Sequence, residues 1–291
     1  MFAPASRQAQ AILYMLLAVS VFSFMDAVAK TMAQHYHPMQ VVWSRYTGQV
    51  VVVLCLIAPK LLQYLRTAHL GSHLIRSVCQ FGATAFFFLA MPYIGLAEAT
   101  AIADINPVLI TLGAAVFLGE KLGPRRLAGV LAALIGALII IRPGSGVFGW
   151  AALLPLACAV CYTANALITR KMGAKDPVWT ALIYAALTGS VITTATLPTV
   201  WTPVASEHLL VFLSIGLIGS VGQLFMIRAF ITGEAAVIAP FAYVGLLCAT
   251  FWGWLFFGEM PDLWTGVGAL VIVVSGIYVW HRETRSAQGR D

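Results

Sequence analysis

Long apolar runs alternate with short clusters of turn residues and charges along the whole chain. A helix crosses a bilayer in roughly 20 apolar residues. By that measure the pattern predicts ten spans, over about 11–33, 38–58, 73–93, 96–118, 125–142, 148–170, 178–198, 208–230, 235–257 and 263–281. The breaks read HYHP, GEKLGPRR, RPGSG, KMGAKDP, TGE and GEMPD, where Pro, Gly and charges end helices. The runs are continuous and do not alternate over about ten residues, which argues against a β-barrel. The expected fold is an all-α integral membrane protein whose linkers leave no room for a soluble domain.

Composition agrees. Of 291 residues, 60% are hydrophobic and 10% charged, against about 25% charged in soluble domains. The N-terminal stretch has the basic and apolar parts of a signal peptide. Its apolar run is too long and lacks a small-residue cleavage site, so it reads as the first span. The net charge of +6 is spread over short loops, which orients a membrane protein and gives no sign of a nucleic-acid surface. With the N-terminus in the cytoplasm, 14 of the 17 basic residues fall in cytoplasmic segments: Arg7, Lys60, Arg66, Arg76, Lys121, Arg125, Arg126, Arg170, Lys171, Lys175, Arg228, Arg282, Arg285 and Arg290. Both termini are therefore expected inside, and a bacterial-type inner membrane is the expected location. The five cysteines lie in apolar runs. The Cys158–Cys161 pair has no second cysteine pair to make a metal site with, and reads as small apolar packing.

The two halves of the chain match at an offset of 139 residues. Asp26 aligns with Asn165, Pro38 with Pro177, Glu120 with Glu259 and Gly129 with Gly268. Each half has five predicted helices. Five is odd, so the second half is expected to cross in the opposite sense, and the basic character of equivalent loops inverts accordingly. Inverted repeats mark secondary transporters, whose substrate site lies at the repeat interface near the midplane.

The stretch AMPYIGLAEATAIADINPVLITLGAAVFLGEKLGPRRLAGVLAALIGALIIIRP resembles the signature half of the EamA-type drug/metabolite transporter superfamily, and AVIAPFAYVGLLCATFWGWLFFGEMPDLWTGVGALVIVVSGIYVW resembles its second copy. The resemblance implies two five-helix repeats, 1–143 and 144–291, around a central cavity with alternating access. MDAVAK, VVWSRY and ATAIADINP are similar to the branch holding riboflavin importers and S-adenosylmethionine carriers. Riboflavin uptake is the leading expectation. An S-adenosylmethionine carrier and an exporter of amino acids or drugs stay open. Leu246 stands where the first copy has Pro107, so a kink of the fourth helix is expected to lack a partner in the ninth.

Charges inside the spans need explanation, since one costs about 2.5–3.5 kcal/mol even on lenient insertion scales. At 1.5 Å per residue, Asp26, Arg45 and Asp104 all lie roughly 11–12 Å below the outer boundary. They are expected to cluster, with Arg45 shared by both carboxylates. Such a cluster suits proton coupling, a static clamp or direct substrate contact. Lys30, nearer the surface, is expected to snorkel. Polar stripes at three-or-four spacing predict cavity walls, with Ser23, Tyr46, Gln80, Thr84, Asn106, Tyr162, Asn165, Gln223, Tyr243 and Trp254 as the candidate substrate lining. Glu120 and Glu259 are expected to cap helix ends, and Glu98 and Glu234 to sit at helix starts. His35 and His37 are expected at the outer surface. Amides, hydroxyls and rings suit a mid-sized polar or amphipathic solute.

Other classes find less support. No H-E-x-x-H, G-x-S-x-G, Walker or metal-ligand motif occurs, so neither an enzyme nor an ATP-driven pump is expected, and no cofactor. A channel or intramembrane enzyme is the different-class alternative. The expected partners are a small-molecule substrate and the lipid bilayer, and the chain is expected to be a monomer or homodimer.

Overall fold

The computed structural model describes residues 4–118, 124–142, 149–172, 176–232 and 239–288. Among them every regular element is helical. In chain order the helices are α1 (Pro4–Ala33), α2 (Pro38–Ile57), the short α3 (Leu61–Leu65), α4 (Leu70–Ala90), α5 (Leu96–Ala103), α6 (Asn106–Leu118) and α7 (Pro124–Ile141). Then come α8 (Leu153–Met172), α9 (Val178–Val200), α10 (Leu209–Thr232), α11 (Val244–Phe257) and α12 (Leu263–Gln288). Each of the ten predicted segments contains helix. Seven segments are long and apolar enough to cross a membrane, and 127–141, 241–257 and 263–278 are shorter apolar helices.

Local chemistry sets the ends. Pro38 stands at the first helical position of α2, where its missing N–H costs nothing, and His37 Nδ1 accepts the Met39 N–H at 3.2 Å. At the far end of α11, Gly258 turns left-handed (φ 65°), and the Glu259 N–H returns to the Gly253 carbonyl at 3.1 Å. A glycine takes that conformation without Cβ strain.

The fourth predicted helix departs from expectation because it is two helices, α5 and α6, broken at Asp104–Ile105. Pro107 offers no N–H to the Ala103 carbonyl, so the ladder fails there. The ninth is expected to lack a matching kink, since Leu246 replaces Pro107. Among the described residues a 3₁₀ segment, Ala239–Tyr243, runs directly into α11, and Tyr243, which corresponds to Asp104 at the offset of 139, keeps a helical backbone there.

Packing relates the two halves. α1 packs on α10 and α11, and its counterpart α8 packs on α4 and α6. α2 packs on α10, and its counterpart α9 on α4. α2 meets α9, and α7 meets α12, each pair being its own counterpart. Exchanging the halves therefore maps each of these contacts onto another. Glycines permit the closest approaches. A Cβ on Gly48 of α2 would lie 2.8 Å from Gly216 Cα of α10, and one on Gly136 of α7 would lie 2.9 Å from the Gly268 carbonyl of α12. Leu210, Leu213, Leu217 and Val221 form an exposed stripe along α10, as expected of a face turned to lipid.

Side-chain bridges tie the helix ends into two opposite faces. At one, Gln40 and Thr202 exchange two hydrogen bonds (2.7 and 3.0 Å), and Tyr36 OH meets His208 Nδ1 at 2.9 Å and accepts the Ala205 N–H. Arg142 pairs with Asp262 there at 2.6 Å. At the other, Asp176 accepts hydrogen bonds from Thr67 (2.8 Å) and His73 (2.9 Å), and Arg76 donates to the Ala181 carbonyl at 2.7 Å. These are called the Lys30 end and the Asp176 end below. His35 is exposed, as expected, and its ring lies tilted against that of His208 with centroids 4.8 Å apart at the Lys30 end.

Two measurements check this packing. Gly48→Val overpacks a backbone contact, a class of change that costs about 1–3 kcal/mol, and should lower the thermal midpoint in detergent. Gly266→Ala, where a Cβ meets open space, should leave the midpoint unchanged or raise it. Hydrogen bonds from His73 and then Thr67 hold the Asp176 carboxyl below the usual carboxylate range. A lowered folded pKa contributes stability above the unfolded value and loses it as pH falls through the folded one. Asp176→Asn should therefore lower the midpoint by a few degrees at neutral pH, with the gap closing only once pH falls below the ordinary carboxylate range, about 4. Melting curves of both proteins between pH 8 and pH 3 measure it.

Candidate functional site

Between the two ends, α2, α4 and α8 bring a polar network together. Tyr46 OH donates to Thr84 Oγ1 at 3.0 Å, and Thr84 Oγ1 donates to the Gln80 carbonyl at 3.2 Å. Asn165 Nδ2 donates to Gln80 Oε1 at 2.7 Å. Arg45 Nη1 donates to Thr84 Oγ1 at 3.1 Å, with its guanidinium 5.7 Å from the ring centroids of both Tyr46 and Phe88. Gly189 of α9 makes room for Tyr46, since a Cβ there would overlap the phenol ring. Four candidates from the lining, Tyr46, Gln80, Thr84 and Asn165, thus join Arg45 in one connected group. Thr84 and Tyr46 are buried, while Gln80 and Asn165 are partly accessible.

The charges depart from expectation. Arg45 is not shared by Asp26 and Asp104. Among the described residues it makes no ion pair with either, because Thr84 and two aromatic rings hold its guanidinium. Cys158 of α8 lies within electrostatic reach of all three, Asp26, Arg45 and Asp104. Asp26 has Arg45 within reach and no hydrogen bond among the described residues. Asp104, at the break between α5 and α6, lies within reach of Tyr162 and Tyr243. Tyr243 OH rests against Gly276 of α12, where a Cβ would collide with it.

Several buried polar atoms of these segments lack a partner. Ser23 Oγ, Arg45 Nε, Asp104 Oδ2, Asn106 Oδ1, Asn165 Oδ1 and Tyr243 OH are buried and make no hydrogen bond among the described residues. Buried polar groups in proteins nearly always have a partner. Six such atoms on α1, α2, the break at Asp104, α6, α8 and the 3₁₀ segment at Tyr243 are what a water-filled or solute-filled opening requires. Tyr162 is 39% accessible and lies within electrostatic reach of both Cys158 and Asp104. Gln223 of α10 is partly accessible and follows Gly222, which packs on Phe22 of α1. Trp254 is not brought to the group. It is half exposed and shares an outward stripe of α11 with Leu247 and Phe251. An aromatic at helical spacing reads the same from sequence whether it faces a cavity or lipid.

Lys30 also overturns its expectation. It does not snorkel. It is 3% exposed, and its Nζ donates to Glu259 Oε1 and Oε2 at 2.6 and 2.7 Å and to the Ile94 carbonyl at 3.0 Å. Glu259 caps a helix as expected, but not the next one in the chain: Oε2 accepts the Leu96 N–H of α5 at 3.1 Å. The Gly258 turn aims it there. Glu98 stands in the first turn of α5, buried beside this pair. Glu120 and Glu234 lie outside the described residues. The Lys30–Glu259 pair was missed, although a signal existed: alternating spans put the end of the first helix and the end of the ninth on one side. Cys158 and Cys161 are free thiols, and no group of three or more His, Cys, Asp or Glu arranged for a metal occurs among the described residues.

Known proteins share this architecture. A crystal structure superposes with a TM-score of 0.64 over 93% of this chain and 96% of its own, at 23% identity, which speaks for the fold alone. The riboflavin transporter of Rhizobium johnstonii is 31% identical over 289 residues, covering 96% of this chain and 94% of that one. The pseudopaline exporter CntI of Pseudomonas aeruginosa is 28% identical over 272 residues, 91% of this chain and 94% of that one. Residues 9–142 and 149–280 each match the EamA-like transporter family. Two matched copies, apolar helices throughout and bacterial transporters as relatives lead to one conclusion: the chain belongs to the EamA-like transporter family and is a multi-pass inner-membrane protein.

Proposed function

We propose that this protein is a secondary transporter that moves a small organic solute by alternating access, and that it takes up riboflavin. The observation that carries the transport mechanism is the helix break at Asp104–Ile105, between α5 and α6 of the first copy. A broken helix exposes backbone and side-chain polar groups to a solute, and its flanking segments can reorient. On this reading all ten segments span, the termini are cytoplasmic, and the copies 1–143 and 144–291 are inverted.

Riboflavin is favoured by the similarity to the Rhizobium johnstonii transporter and by the chemistry of the lining. A flat ring with carbonyl and imide groups, bearing a polyhydroxylated chain, needs stacking surfaces together with amide and hydroxyl partners. Tyr46, Tyr162, Asn106, Asn165, Gln80 and Gln223 are of that kind. Arg45 and Asp104 add one strong donor and one strong acceptor with unfilled capacity. The pseudopaline exporter among the relatives makes export the second reading. The S-adenosylmethionine branch remains a third substrate class.

Expression in a riboflavin-auxotrophic bacterium without its own importer should restore growth at limiting riboflavin and give saturable uptake of the labelled vitamin. Absence of uptake from protein verified in the membrane overturns the riboflavin assignment. Arg45→Ala and Asn165→Ala each remove a hydrogen-bonding group, worth about 1.5–3 kcal/mol where charged. Arg45→Ala should cut Vmax/KM roughly ten- to hundredfold, and Asn165→Ala by less. Asp104→Asn and Asp26→Asn test proton coupling. Coupling through either carboxylate requires an altered pH profile of uptake, and a profile that merely scales down assigns both to packing or solute contact.

A further inference from the structure

A polar pocket of about 500 Å³ opens at the Lys30 end, lined by Gln34, Met91, Tyr93, Gly95 and Met260 and floored by Lys30, Glu98 and Glu259. It meets the size range of small-molecule sites. Two of the floor residues are charged and more than nine-tenths buried, Lys30 at 3% and Glu98 at 7% exposure, and Glu98 Oε2 makes no hydrogen bond. Below the floor lies the central group. Lys30, Asp26 and Ser23 share one face of α1, so Lys30 sits one turn, about 6 Å, from Asp26. Glu98 is six residues, about 9 Å, along the chain from Asp104.

The Lys30–Glu259 pair spans the two copies. Lys30 ends α1 and also holds the Ile94 carbonyl, while Glu259 follows α11 and holds the Leu96 N–H. Four segments are therefore locked by two side chains: α1, the turn before α5, α5 itself and the end of α11. Lys30 further lies 5.0 Å from the Phe257 ring. The equivalent of Lys30 in the second copy is Thr169, which donates to its own helix at the Asn165 carbonyl.

We infer that this pocket is the mouth through which the transported solute reaches the central site, and that the Lys30–Glu259 ion pair is the gate between them. The inference rests on the transporter reading but not on the identity of the solute. A solute arriving in the pocket meets the Glu259 carboxylate and the Lys30 ammonium already paired to each other. Opening separates α11 from α1 and α5, which requires Lys30 to leave Glu259. Breaking one partner of a buried pair leaves an uncompensated charge, so the closed arrangement is strongly held, and neutralising either partner removes that hold.

The test needs no substrate. A protein keeping Cys158 as its sole cysteine, with Cys55, Cys79, Cys161 and Cys248 changed to Ser, carries a native thiol beside the central charges. Labelling by a membrane-impermeant methanethiosulfonate is measured in intact cells and in inverted vesicles, normalised to total thiol after denaturation. Lys30→Met and Glu259→Gln should raise the rate of Cys158 labelling about tenfold or more from one face of the membrane only. The conservative Lys30→Arg protein, which keeps the positive charge and donors for both Glu259 and the Ile94 carbonyl, should return to within about threefold of the parent rate. Unchanged labelling in the neutralised variants overturns the gate. So does an equal rise from both faces, which signals unfolding, or a Lys30→Arg protein as reactive as the neutralised ones. Failure of riboflavin uptake leaves all these outcomes readable.

Discussion

Hydrocarbon offers no hydrogen bonds, and this constraint organises the molecule. A polar side chain within a span must find a partner in the protein or face an opening that water or solute can fill. Tyr46, Thr84, Gln80 and Asn165 take the first course, answering one another across α2, α4 and α8. Ser23, Asp104, Asn106 and Tyr243 are left to the second, each holding a buried atom without a partner among the described residues. The apolar surfaces divide along the same line: leucines on α10 face outward, while glycines such as Gly48 and Gly216 let backbones touch where the copies meet. Small residues at such contacts are how membrane helices pack without a hydrophobic driving force between them.

The helix break at Asp104–Ile105 is the costly feature of the first copy. A break in a span leaves carbonyls and N–H groups without ladder partners, which is tolerable only beside protein or a polar cavity. Pro107 accounts for it by removing an N–H. At the equivalent place in the second copy, Tyr243 ends a 3₁₀ segment that leads straight into α11, so the two copies solve the same stretch of span differently: one interrupts the helix, the other changes its winding.

The architecture was legible because each span is a long apolar run punctuated by Gly, Pro and charge, and because a repeat at a fixed offset constrains the count. Predicted boundaries differed by a few residues at ends such as α1 and α12, where helices continue past the apolar run. The site was legible by residue type and not by pairing. Depth counting grouped Asp26, Arg45 and Asp104, and all three lie within electrostatic reach of Cys158, but depth carries no information on azimuth. Arg45 therefore points at Thr84 rather than a carboxylate, and Trp254 points outward. Lys30 was assigned to the surface because snorkelling is the default for a lysine near a helix end. Its partner, Glu259, comes from 229 residues further on and is delivered by the left-handed turn at Gly258, which no local pattern announces.

The equivalent positions differ chemically in a consistent direction. Asp26 corresponds to Asn165, Asp104 to Tyr243, Lys30 to Thr169 and Thr84 to Gln223. The first copy carries the charges, and the second supplies amides and hydroxyls. Electrostatics gives the reason. Tyr243 lies within electrostatic reach of Asp104, so an aspartate in both copies would set two carboxylates within reach of each other in a poorly solvated space, where like charges disfavour ionisation of the pair. Neutral polar residues in one copy avoid that repulsion while keeping hydrogen-bonding capacity on both sides. The same substitution pattern leaves the Lys30–Glu259 lock without an equivalent lysine at position 169. Two identical inverted copies would make the states open to either side equal in energy. On the proposed mechanism, a chain with one such lock holds the Lys30 end closed by default, and the solute must supply the difference to open it.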